Sequence, residues 1–141
     1  MRISTKGRYS LEAMLFLALL PENEYASTRE IAEKTGLSDG YLEQLFIGLR
    51  KTELIKGFRG PQGGYVIGKP ANKITVWEIL NSVENNLKPT PCVQDHICDQ
   101  ESTCCGRSVW QRINKGISDC VNAITLEDLV TGYKSQSEYY I

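Results

Sequence analysis

The sequence predicts a mostly α-helical fold that carries one small β-hairpin. Three observations predict it. Apolar residues recur at three- and four-residue spacing in several separate stretches, the pattern of one-sided helices. Three Ser/Thr-x-x-Glu/Asp motifs (Ser27 with Glu30, Thr75 with Glu78, Thr125 with Asp128) mark helix starts. Between two short apolar runs stands Lys56-Gly57-Phe58-Arg59-Gly60-Pro61-Gln62-Gly63-Gly64. Such a glycine-rich segment can form a hairpin tip but no core.

Each element follows in order. Leu11, Met14, Leu15, Ala18 and Leu19 predict a first helix over about residues 7–20, closed by Pro21. Ser27-Thr28-Arg29-Glu30 opens a second helix with Ile31 and Ala32 turned inward, and Gly36 is placed to stop it. Ser38 can cap a third helix, whose Leu42, Leu45, Phe46 and Leu49 form one apolar face. Helix, short glycine-containing turn and helix make the helix-turn-helix layout. Leu54-Ile55 and Tyr65-Val66-Ile67 read as the strands of the hairpin, which makes the layout winged.

Thr75-Val76-Trp77-Glu78 opens a helix through about residue 87. Residues 88–104 are irregular, with Pro89, Pro91 and three cysteines. From Arg107 a long helix sets Val109, Ile113, Ile117, Cys120, Val121 and Ile124 on one stripe, and Cys120 reads as core there. Thr125 starts a short final helix, and the tail from Lys134 is polar and aromatic. The division is a winged helix-turn-helix over residues 1–70, then residues 71–141 with a cysteine loop (88–106) and the long helix.

The totals bound what this fold can do. At 141 residues with 41% hydrophobic composition, the chain suits one packed domain, or a small domain with an appendage. The longest apolar run, residues 13–20, is too short to span a membrane, and Pro21-Glu22-Asn23-Glu24 after it offers no signal-peptide cleavage site. A cytoplasmic protein is expected. Five cysteines cannot all pair internally, and in a reducing compartment such thiols bind metal, react or fill a core.

The net charge of −1 hides an uneven distribution. Arg2, Lys6 and Arg8 stand without an acid in residues 1–10, and Arg50, Lys51, Lys56, Arg59 and Lys69 face only Glu53 in residues 50–69. Beyond residue 70 acids outnumber bases, so positive charge gathers at the arm and the wing.

These features point to double-stranded DNA. A helix fits the major groove, and its first turns reach base edges. The third helix turns Asp39, Gly40, Tyr41, Glu43 and Gln44 outward. Gln44 can pair with adenine and Glu43 can accept from cytosine, while Ser38 and Tyr41 suit phosphate or mixed contacts. Arg59, on a thin glycine loop, can enter the narrow minor groove. Protein contact is the alternative use of such a helical surface, but it gives the wing's cations no role. The apolar stripe of the long helix exceeds what so small a domain covers. A second copy would bury it and set two reading helices on one face of the duplex; packing on the N-terminal helices is the other option.

Cys92, Cys98 and Cys104 stand as C-x5-C-x5-C, with Cys105 next. Structural zinc sites use closer knuckles with a distant second pair, which this spacing lacks. Three thiolates in a loop poor in apolar residues can instead converge on an iron–sulfur cluster.

Met1-Arg2-Ile3-Ser4-Thr5-Lys6-Gly7-Arg8-Tyr9, Tyr41-Leu42-Glu43-Gln44-Leu45 and Arg59-Gly60-Pro61-Gln62-Gly63-Gly64-Tyr65 resemble the Rrf2 family of bacterial winged-helix regulators. The three cysteines and Ile124-Thr125-Leu126-Glu127-Asp128-Leu129 fit the same family, in particular its IscR branch, which senses iron–sulfur status. The resemblance covers nearly the whole chain. It implies a homodimeric regulator, not an enzyme, with Cys92, Cys98 and Cys104 as cluster thiolates. It also implies DNA contacts from the second helix of the helix-turn-helix and from Arg59. Glu43 matches a family position whose carboxylate helps decide the operator class.

Two departures stand out. IscR-like proteins ligate with a histidine three residues after the third cysteine, where this chain has Arg107, which keeps its proton and cannot ligate. The NsrR branch uses an aspartate near the N-terminus, where this chain has Arg8. Cys105 and His96, the sole histidine, become candidates for the fourth ligand, alongside an external thiol or another carboxylate. The IscR resemblance favours a 2Fe–2S over a 4Fe–4S cluster. The ending Ser137-Glu138-Tyr139-Tyr140-Ile141 is similar to the CymR branch, cysteine-metabolism repressors without the three-cysteine loop. That branch supplies the competing expectation: control by a partner protein or by thiol oxidation. An iron–sulfur electron carrier is the other class, but the sequence holds no second cofactor motif.

Overall fold

A computed structural model describes residues 3–61, 63–84, 87 and 103–139, the last three as backbone alone. Helix α1 (Thr5–Ala18), α2 (Thr28–Thr35) and α3 (Asp39–Lys51) are followed by strands β1 (Ile55–Phe58) and β2 (Gly64–Ile67). A 3-10 turn (Ala71–Lys73) leads into α4 (Val76–Val83), and then come α5 (Arg107–Ala123) and α6 (Leu126–Tyr139). The fold is thus mostly helical with one two-stranded antiparallel sheet, in the winged helix-turn-helix order.

Local chemistry sets most boundaries. Ser27 and Glu30 satisfy each other's backbone donors at 3.2 and 2.6 Å, and Gly36 closes α2 in a left-handed conformation (φ 76°). Ser38 Oγ accepts from the Tyr41 amide at 3.2 Å to start α3. Thr125 and Asp128 repeat the reciprocal cap at the start of α6. Strand β1 runs to Phe58, further into the glycine-rich segment than expected, and two helices differ in length. Helix α4 ends at Val83, with Glu84 already extended, rather than near residue 87. Helix α6 is not short: it runs 14 residues to Tyr139, because nothing after its cap breaks it except Gly132, which a helix tolerates.

Helix α1 is started from a distance. Ser4 provides no side-chain cap of its own; its amide and hydroxyl both donate to Glu84 Oε1 at 2.8 Å. The first turn of α1 holds no acid, so Glu84 supplies the negative charge its dipole favours.

The main core joins α1 (Ala13, Met14, Leu17), Ile31 of α2, and Leu42, Leu45, Phe46 and Leu49 of α3 with Leu54, Ile55, Ile74, Ile79 and Leu126. A smaller cluster of Val76, Leu80 and Leu87 packs under Val121 and Ile124. Helix α5 buries no residue fully. Its stripe divides: Val121 and Ile124 rest on the smaller cluster, while Val109, Trp110 and Ile113 are exposed. Cys120 is exposed as well, which corrects the expectation that it fills a core. Stripe membership alone cannot tell which half of a helix meets its own chain.

The wing is anchored at its root. β1 and β2 pair Ile55 with Ile67 through Phe58 with Gly64, and Ala26 adds a bridge on the far side of β2. Its amide donates to Tyr65 O at 3.1 Å and its carbonyl accepts from the Tyr65 amide at 2.7 Å. Only glycine fits at residue 64, since a Cβ there would stand 2.5 Å from the Ala26 carbonyl oxygen.

One ionisable group is displaced from its ordinary behaviour. Burial alone would raise the Glu78 carboxyl, but the Lys69 ammonium at 2.8 Å and the Thr75 backbone amide hold it below the ordinary glutamate value of 4.5. A depressed carboxylate stabilises the fold above that value and stops doing so as pH falls through the lower folded one. Both side chains are 37% exposed, so solvent screens the pair to a few tenths of a kcal/mol. Glu78→Gln keeps the cap acceptor and loses the charge. Its deficit in urea midpoint is expected at neutral pH and should close below pH 4.5; a deficit that persists in acid would assign the effect to the cap.

Candidate nucleic-acid interface and thiol site

The first turn of α3 projects from the body with its inner face locked in the core, since Leu42, Leu45, Phe46 and Leu49 are all essentially inaccessible. On the opposite side Asp39, Gly40, Glu43, Gln44 and Ile47 are exposed. Glu43 and Gln44 are therefore free to address base edges. Ser38 is exposed too, but its hydroxyl already accepts from the Tyr41 amide, leaving its hydrogen to donate to a phosphate.

Tyr41 differs from the outward residue the sequence predicts. It is half-buried, its ring meets Tyr9 edge-on with centroids 5.8 Å apart, and its hydroxyl donates to Thr5 Oγ1 at 3.4 Å. It ties the reading helix to the start of α1, and Thr5 and Tyr9 are partners that sequence reasoning missed. Both lie more than thirty residues away in sequence from Tyr41, and no local pattern marks the pairing.

The wing carries Arg59 exposed at its tip, followed by Gly60 with φ 114°. Behind it Phe58 and Tyr25, both exposed, stack at 4.6 Å between centroids. Arg50 of α3 is a further exposed cation beside the wing.

The thiols lie at the other end of the molecule's sequence. Cys104 and Cys105 are free and exposed immediately before α5. Cys92, Cys98 and His96 fall outside the described residues. Among the described residues no group of three His, Cys, Asp or Glu side chains converges on one point. As a donor set, the two described thiols suit a soft metal, and the Arg107 side chain beside them adds no ligand. No helix among the described residues is long and apolar enough to cross a membrane.

Known proteins agree with this architecture. Residues 3–132 match the model of the Rrf2 family, described as an iron-dependent transcriptional regulator. The chain is 39% identical over 130 residues to the HTH-type transcriptional regulator IscR of Pectobacterium atrosepticum, covering 92% of this chain and 79% of that one. Among solved structures it is similar to CymR, the global cysteine regulator of B. subtilis, with TM-score 0.76 and 36% identity over 93% of this chain and 97% of that chain. T. potens IscR gives TM-score 0.75 and 35% identity over 94% of this chain and 88% of that one. With the winged helix-turn-helix in place and the family model spanning nearly its whole length, the chain belongs to the Rrf2 family of DNA-binding transcriptional regulators, which are not enzymes.

Proposed function

We propose that this chain is a homodimeric regulator of the IscR type, whose affinity for a double-stranded DNA operator is set by an iron–sulfur cluster. Residues 1–70 read DNA: Gln44 and Glu43 meet base edges, Ser38 and Tyr41 the strand beside them, and Arg59 the minor groove. Residues 71–141 carry the sensor and the partner surface. Cys92, Cys98 and Cys104 are the cluster thiolates, Cys105 and His96 the candidates for the fourth ligand, and 2Fe–2S the form that the IscR likeness favours.

The observation that carries this reading is the state of the thiols before α5. Cys104 and Cys105 are free and exposed, so packing gives no reason for them, in a chain whose family is described as iron-dependent. A bound cluster supplies soft, thiolate-held iron that oxidants, nitric oxide or iron scarcity can remove. Exposed Val109, Trp110 and Ile113 support a second copy along α5, which would present two α3 helices to one face of a duplex. A reducing cytoplasm suits such a sensor.

The test is anaerobic reconstitution. Expected are visible absorbance, bound iron and sulfide, a dimer on sedimentation, and operator affinity that differs between loaded and stripped protein. Protein without iron and sulfide, or with one affinity in both states, sinks the sensor reading. A second reading has the CymR likeness in its favour, a match that spans 97% of that chain. It is a repressor of cysteine or sulfur metabolism, controlled by a partner protein or by oxidation of its exposed thiols. In that case operator affinity follows the partner or the thiol redox state with no iron present.

The wing has its own test. Arg59→Ala is expected to weaken operator binding roughly tenfold, without loss of stability because the side chain is exposed. Unchanged affinity across a salt series would remove Arg59 from the interface.

A further inference from the structure

Between the start of α2 and the root of the wing lies an open cleft of about 340 Å³. Arg50 reaches it from the last turn of α3 and Arg59 from the wing, while Thr28 and Tyr65 line it with the glycine backbone of residues 57, 60, 63 and 64. No carboxylate lines it. Glu30, the nearest acid in sequence, is committed to its cap with the Ser27 amide at 2.6 Å.

The two guanidiniums share this cleft without an acid to neutralise either. Arg29, Lys69 and Lys115 pair with acids at 3.5, 2.8 and 2.6 Å, and none of them lines the cleft. Arg50 and Arg59 have no ion-pair partner among the described residues. Two positive groups around one acid-free concavity repel each other unless an anion sits between them. The fold builds this arrangement deliberately tight: the two-way Ala26–Tyr65 bridge pulls the wing root against α2, and Gly64 permits that approach.

We propose that this cleft is a phosphate-binding subsite, in which Arg50 and Thr28 hold a DNA phosphodiester on the strand between the groove read by α3 and the groove entered by Arg59. The inference rests on the DNA-reading assignment above and extends it to two residues that no sequence motif marks. Guanidinium suits the role because its planar donors match a phosphate with two parallel hydrogen bonds, and the Thr28 hydroxyl can add a third. The contact fixes the register of the protein on the duplex and carries no base information. Arg50 is a positioning residue in this scheme, and Gln44 remains a base reader.

The test compares Arg50→Ala, Arg50→Lys, Arg59→Ala and Gln44→Ala on operator and scrambled duplexes across a potassium chloride series, using fluorescence anisotropy. Arg50→Ala is expected to weaken both duplexes by the same several-fold factor and to reduce the slope of log K against log salt by about 0.9. Arg50→Lys should restore the slope and only part of the affinity, while Gln44→Ala should lower operator binding alone. Because Arg50 is exposed, melting temperature should not move. If Arg50→Ala leaves slope and affinity intact while Arg59→Ala still weakens binding, the subsite is wrong and the DNA reading stands. If neither arginine matters, the wing interface itself fails. Inorganic phosphate, titrated into the DNA-free protein at constant ionic strength, separates the remaining source. Phosphate binding lost in Arg50→Ala with DNA affinity unchanged would make the cleft a free-anion site and overturn the proposal.

Discussion

Phe46→Ala is expected to lower unfolding free energy by about 3–5 kcal/mol, the cost of a large cavity in a core that cannot collapse around it. Phe46 is fully buried in the middle of α3, and its ring lies 4.6 Å from that of Tyr65 on β2. It therefore joins the reading helix to the wing as well as filling the core. Set against the 5–15 kcal/mol typical of whole domains, such a loss approaches complete unfolding at body temperature. Urea titration should show a lower midpoint with an unchanged slope. Phe46→Leu, which keeps most of the volume, should cost a fraction of this. A loss below about 1 kcal/mol for the alanine variant would mean that α3 and the wing do not share the packing described here.

Cys104→Ala has the opposite profile. The side chain is exposed and free among the described residues, so melting of the cluster-free protein should be unchanged within about 0.5 kcal/mol. Visible absorbance, iron and sulfide should fall to background after anaerobic reconstitution, and the difference in operator affinity between loaded and stripped protein should vanish with them. Cys105→Ala serves as the ligand test. A shifted spectrum with retained iron would give Cys105 the fourth position; an unaltered spectrum would exclude it. Cys120→Ala should change neither spectrum nor affinity. If Cys104→Ala still loads iron and sulfide to the full amount, Cys104 is not a ligand and the three-thiolate arrangement falls.

Helix starts set by hydrogen bonds within four residues were legible in the sequence. The caps at Ser27, Thr75 and Thr125 each form both expected hydrogen bonds, and the inward face of α3 is the one its spacing indicated. Helix α1 is rotated from expectation: Ser10, Ala13, Met14 and Leu17 are buried, whereas Leu11, Leu15, Ala18 and Leu19 are only partly covered. A helix apolar on most sides leaves its inward face to its neighbours. The hairpin exists where expected, but its strands reach further into the glycine-rich segment: Lys56, Gly57, Phe58 and Gly64 pair across the ladder and leave residues 59–63 as the tip. Contacts between distant segments were not legible. Nothing near Thr75 announces that its helix start is stitched to that of Thr125, with the Val76 amide on Ile124 O at 2.9 Å and the Leu126 amide on Ile74 O at 2.8 Å. Cys120 was misplaced for the same reason, because periodicity fixes a face but not what covers it. In the proposed DNA interface, Glu43, Gln44 and Arg59 are exposed, as their outward positions in the sequence led one to expect. Tyr41 could be named, but its ring contact with Tyr9 could not, since pairing across 32 positions leaves no local trace. Arg50 was counted as charge without a place, and only the folding of the wing against α2 gives it one.

The long reach of Glu84 to Ser4 bears on how the protein is made. Residues 3–20 leave the ribosome well before Glu84, and the carboxylate that bonds Ser4 at the start of α1 is attached 80 positions later. Until residue 84 has emerged, the Ser4 amide and hydroxyl lack that partner, and a lone helix of 14 residues is marginal in water. Synthesis must therefore pass the reading helix and the wing before the opening segment can settle. The core under the DNA-reading half also takes in Leu126, so that half is complete only after the cysteine-bearing segment has followed.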